Sequence, residues 1–115
     1  MISSGNIYLL QYGSYINKEV MKENVNRLDD YIMEFHDDKY YVYVGAYINI
    51  DTAKKMQKYF ENENIYTYIK NDYISNSEVI NKIEEIDKEI LEEENYNKLI
   101  ENNIKILNIL KNIVS

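Results

Sequence analysis

Few residue types in this 115-residue chain can run covalent or metal chemistry. With no Cys and a single His, His36, it has no thiolate site, disulfide framework or cysteine nucleophile, and almost no room for a histidine-based metal site or triad. His36 lies among Glu34, Asp37 and Asp38, but this is a polar run with the character of a solvated turn. Ser14 has no nearby His or Lys base in the pattern, which removes it as a nucleophile. The acidic run from Glu84 to Glu94 has the composition of a solvated helix face, and nothing in it selects a carboxylate pair for glycoside chemistry. Binding chemistry is what remains. Gln11, Tyr41 and Tyr43 lie in two aromatic and β-branched runs, and strand alternation puts them on one side. An amide beside phenol rings suits a neutral polyhydroxy ligand, since the rings pack on sugar C–H faces while the amide bonds hydroxyl or N-acetyl groups. The plainer alternative is that Tyr is an ordinary strand former, on a face that is solvated or covered by the C-terminal helix.

Charge narrows the partners further. Thirteen Lys and Arg against twenty Asp and Glu give a net charge of -7, with pI near 4.7. This opposes binding to a phosphate backbone or an anionic leaflet, so nucleic acid is not an expected partner. No run of about 20 apolar residues exists, and the start MISSGNIYLL lacks a basic stretch followed by an apolar one. No membrane insertion by this chain is expected, and any anchor would lie outside it. With 45% hydrophobic residues there is enough apolar material for a packed core.

The elements that must position Gln11, Tyr41 and Tyr43 come from an internal repeat. Residues Tyr8-Leu9-Leu10-Gln11-Tyr12-Gly13-Ser14-Tyr15-Ile16-Asn17 align without gaps on Tyr40-Tyr41-Val42-Tyr43-Val44-Gly45-Ala46-Tyr47-Ile48-Asn49, an offset of 32 residues. Runs 7–12 and 40–44 read as strands that turn at a Gly. Asn17 and Asp51 are expected N-caps of helices over about 18–30, with Met21, Val25 and Leu28 on one face, and about 52–62, with Ala53, Met56 and Phe60 inward. Residues 31–35 form a further strand, 36–39 a hairpin turn and 65–73 a fourth strand. The expected fold is α+β: β-α-β-β-α-β, a four-stranded antiparallel sheet with strands one and three central, two helices on one face and the other face open. Leu10, Tyr12, Val42 and Val44 should face the helices, and Leu9, Gln11, Tyr41 and Tyr43 the open side.

Residues 75–115 read as a helical extension to a domain over 6–74; only one of the thirteen tyrosines, Tyr96, falls there. Ser75-Asn76-Ser77-Glu78 resembles a capping box. Val79, Ile83, Ile86 and Ile90 form a stripe continued by Ile100, Ile104, Leu107 and Val114, with Leu99, Ile106, Leu110 and Ile113 alongside. One straight helix would be roughly 55 Å long, which favours a helical hairpin turning near Asn95 over a single long helix. Its second arm is too apolar to stand alone and must pack on its partner, on the open face, or on another chain.

The segment Tyr8 to Tyr15, its echo Tyr41 to Tyr47 and the Asn-Lys-Glu and Asn-Ile-Asp-Thr-Ala helix starts resemble the sporulation-related repeat, or SPOR domain, over residues 6–73. The resemblance implies the ferredoxin-like β-α-β-β-α-β sheet and binding to peptidoglycan glycan strands, particularly those stripped of stem peptides. It also implies a place in the bacterial cell envelope, outside the cytoplasm, in cell division or sporulation. Gln11 and Ser14 match the family's glycan-bonding glutamine and serine. Where many members carry a large aromatic at the start of strand three, this sequence has Lys39, and Tyr41 or Tyr43 could take the stacking role. The expected activity is recruitment without catalysis or a cofactor. The competing reading is an interaction scaffold, a homodimer or a complex with a partner protein through the C-terminal helices. RNA-recognition domains share the strand order, but the charge here is wrong, and strand three lacks their basic residue and Gly-aromatic pattern.

Overall fold

A computed structural model describes residues 5–114, in the order β1 (Gly5–Tyr15), α1 (Lys18–Val25), β2 (Ile32–His36), β3 (Lys39–Tyr47), α2 (Ile50–Asn62), β4 (Tyr68–Ile74), α3 (Ser77–Glu92) and α4 (Tyr96–Val114). The fold is α+β, with one antiparallel four-stranded open sheet of order β2-β3-β1-β4 and four helices. Local chemistry sets most boundaries. Asp37 and Asp38 both take positive φ, 50° and 63°, which makes the two-residue turn that matches strand twist and closes His36 on Lys39. Asn17 caps α1, its side chain accepting from the N–H groups of Glu19 and Val20.

Several boundaries differ from the sequence reading. Strands β1 and β3 run through Gly13 and Gly45 to Tyr15 and Tyr47 instead of turning there, and α3 is capped by Asn76, whose side chain accepts from the Val79 N–H, in place of a capping box begun at Ser75. Helix α1 stops at Val25, well short of residue 30. The cap of α2 is Asn49, the repeat-mate of Asn17, and Asp51 is the residue whose N–H it receives. Strand β4 starts at Tyr68, because Asn64 adopts φ 62° and the Ile65 N–H returns to the Phe60 carbonyl, closing the end of α2.

The repeat reaches deeper than its letters. Strand β1 meets β3 with Leu10 opposite Gly45, Gln11 opposite Tyr43 and Gly13 opposite Val42, so Val44 and Tyr12 are each an extra residue in the ladder. These two bulges are repeat-mates. Each is followed by a Gly, and the Tyr two residues beyond that Gly folds its ring over it, so that a Cβ at Gly13 or Gly45 would collide with the phenol of Tyr15 or Tyr47. The two sites differ in how far that ring can yield. Tyr47 is fully buried; its hydroxyl donates to Asn103 Oδ1, and Asn103 Nδ2 donates to the Val44 carbonyl at 2.8 Å. Burial, with the charge of Asp87 acting in the same direction, holds the Tyr47 phenol well above its ordinary pKa, so it stays a protonated donor. Tyr15 is only half-buried. Gly45→Ala is expected to cost about 3 kcal/mol and Gly13→Ala less than half of that, as read by denaturant titration. Equal losses at the two positions would contradict this account.

Helices α3 and α4 are joined by residues 93–95 and pack on each other as a hairpin. Val79, Ile83 and Ile90 are buried and Ile86 is half-buried, as the stripe predicts. In α4 the deepest positions are Leu99, Ile106, Leu107 and Leu110, while Ile100 and Ile104 are half-buried; the side chain of Val114 lies outside the described residues. A single buried cluster unites Leu9, Leu10, Tyr43 and Tyr47 of the sheet with Met56 and Phe60 of α2 and with these positions of α3 and α4. The core therefore runs without a break across residue 75. Met21 and Val25 of α1 pack on Val42 in a smaller cluster.

Candidate functional site

Residues opposite each other in a ladder share a face of the sheet. Gln11 faces Tyr43 on β3 and Tyr68 on β4; Ser14 and Glu34 both face Tyr41; Leu9 faces Lys70; Ile7 faces Asp72. Lys39, two residues before Tyr41, belongs to the same side by alternation. Thus Gln11, Ser14, Lys39, Tyr41 and Tyr43 lie on one face, opposite the Val42 side that packs on α1. Ser14 is there only because of the bulge at Tyr12. Simple alternation from Gln11 would send it to the other side, and one extra residue in the ladder reverses that.

This face is not wholly open. Leu110 and Ile113 of α4 line a cavity of about 210 Å³ together with Ile7, Leu9, Ile32 and Tyr43 of the sheet. Helix α4 is more apolar than α3 alone can bury, so its last turns lean on the sheet. Tyr43 is only 2% exposed as a result and presents no ring face to solvent, whereas Gln11 and Tyr41 are half-buried and Ser14 and Lys39 exposed. The exposed half of the face gains two residues that sequence reasoning did not single out. Tyr68, 66% exposed, stands beside Gln11. Lys70 donates to Tyr43 Oη at 3.1 Å and places its ammonium 4.8 Å from the centre of the Tyr41 ring. Strand alternation in β4 signals both, but only once the pairing of β4 with β1 is known.

The electrostatics of the face follow from that lysine. Burial raises the Tyr43 pKa, and the hydrogen bond from Lys70 partly offsets the rise. The same hydrogen bond raises the pKa of Lys70, helped by the charges of Asp72 and Glu34, so it stays an ammonium. Lys39 and Lys70 are matched by Glu34 and Asp72, which leaves the face close to neutral in a chain of net charge -7.

Among the described residues no group of three or more His, Asp or Glu could hold a metal ion, and no helix is long and apolar enough to cross a membrane. Compared with protein-family models, with curated proteins and with solved structures, the chain matches none of them.

Proposed function

We propose that this chain is a non-catalytic module that binds a glycan strand of peptidoglycan, stripped of its stem peptides, across the exposed half of the sheet face. The observation that carries this reading is a charge-balanced surface of amide, hydroxyl and phenol groups in a strongly acidic protein. Such a surface fits a neutral polyhydroxy chain better than a phosphate polymer. Gln11 and Ser14 supply hydrogen bonds, while Tyr68 and Tyr41 offer C–H stacking in place of the aromatic that Lys39 replaces. The strand order, with crossovers through α1 and α2, is the one implied by the SPOR resemblance, and in this reading both helices lie on the face away from the glycan in a ferredoxin-like arrangement. The ligand then places the module in the bacterial cell envelope, outside the cytoplasm, in division or sporulation.

The scaffold reading rested on an α4 too apolar to stand alone. Leu99, Ile106, Leu107 and Leu110 are buried within the chain itself, so that observation no longer argues for a partner.

The test is sedimentation of the protein with purified sacculi, before and after amidase removal of stem peptides. Binding is expected to rise on stripped glycan, to change little with salt, and to fall about tenfold in Gln11→Ala and in Tyr68→Ala. Equal binding by all three proteins, or none to either preparation, would sink the proposal.

A further inference from the structure

Strand β4 is an edge of the sheet, and among the described residues no strand pairs with its outer side. Seven residues long and free of Pro, it is the kind of edge that another chain can extend. Its sequence, Tyr68-Ile69-Lys70-Asn71-Asp72-Tyr73-Ile74, is self-complementary when run against itself in the opposite direction. An antiparallel two-fold pair must set outward-pointing residues against outward-pointing ones and inward against inward, which restricts the registers to those that keep alternation in step. Three such registers overlap most of the strand. Centring on Lys70 sets ammonium against ammonium, and centring on Asp72 sets carboxylate against carboxylate. Centring on Asn71 uses the whole strand and puts each Lys70 opposite the other copy's Asp72, Tyr68 opposite Ile74 and Ile69 opposite Tyr73. Charge thus selects the same register that makes the longest ladder.

The geometry points to β4 as the interface of a two-fold homodimer, in which two chains join into one continuous eight-stranded sheet. Lys70 spends one of its three donors on Tyr43, and Asp72 spends Oδ1 on the Tyr73 N–H, which leaves each with hydrogen-bonding capacity for the other copy. The opposite edge, β2, does not offer the same fit: its full-length register sets Glu34 against Glu34, and α4 packs against this strand. This assignment does not depend on the glycan reading.

The experiment is analytical ultracentrifugation of the full chain over a concentration series, with Lys70→Glu, Asp72→Lys and the double variant alongside. Wild type should dimerise. Each single variant should weaken the dimer about tenfold or more, because both symmetric contacts turn from attractive to repulsive. An equimolar mixture of the two single variants should form a heterodimer, since one edge then carries two carboxylates and the other two ammoniums, and the double variant should dimerise again. If a single variant fails to fold by circular dichroism, hydrogen exchange on wild type decides the question: protection of the β4 amides that point away from β1 should rise with concentration. A wild type that stays monomeric, a dimer that both single variants keep, or β4 amides indifferent to concentration would overturn the assignment.

Discussion

Asp87→Ala should cost about 3–5 kcal/mol, a large part of the stability of a domain this size. The carboxylate is 3% exposed and accepts from the N–H groups of Ile48 and Asn49, at 2.7 and 3.1 Å, and from Thr52 Oγ1 at 2.6 Å. Those donors stand at the junction of β3 and α2, where the first N–H groups of a helix have no partner of their own and its dipole favours a negative charge. Removing the carboxylate strands three buried or half-buried donors at once. It also unfastens α3 from the sheet beside the point where Lys55, one turn along α2, caps the C-terminal end of α3 through the carbonyls of Ile90, Leu91 and Glu93. Asp87→Asn, which keeps an acceptor oxygen but not the charge, should lose roughly half as much. Thermal and urea unfolding of the three proteins measures this. A loss below about 1 kcal/mol in Asp87→Ala would mean that water replaces the carboxylate and that the junction is not held as described.

The second large effect is that a chain ending at residue 76 should not fold. Ile7, Leu9, Tyr43 and Tyr47 are each less than a tenth exposed, and the C-terminal helices supply Leu110 beside the first three and Asn103 to the last. Exposing four such side chains costs on the order of 6–12 kcal/mol at about 1.5–3 kcal/mol each, comparable to a whole domain's stability. The Val44 carbonyl would lose its bond from Asn103 as well. The expected result is a chain lacking cooperative unfolding and amide dispersion in an NMR spectrum. A dispersed spectrum with a sharp thermal transition would show instead that residues 5–76 are autonomous and the helices an accessory. The same experiment bears on function, since the hairpin covers Tyr43 on the proposed glycan face and leaves Ser14 and Tyr68 exposed.

The sequence by itself determined the local parts of this protein. The order of strands and helices, the hairpin at Asp37 and Asp38, the cap at Asn17 and the equivalence of the Gly13 and Gly45 units all depend on a few neighbouring residues, whose φ, ψ and polarity preferences act over one turn or one strand. The break near Asn95 was legible for the same reason. Tertiary structure decided what depends on register and on contacts across the chain. The bulges at Tyr12 and Val44 each add a single residue, too little to show in a hydrophobic pattern, yet one residue is enough to bring Ser14 to the side of Gln11 and to separate Tyr47 from Tyr43. Asp87 and Asn103 look like solvated positions in an acidic, Asn-rich helix pair; they are buried because their partners, Thr52 35 residues away and Val44 59 residues away, come to meet them. Tyr43 looked accessible by alternation and is covered because α4 needs a second apolar surface. Tyr68 and Lys70 join the face only through the pairing of β4 with β1, two strands more than 50 residues apart, and no local pattern encodes a register set by the closing of the whole sheet.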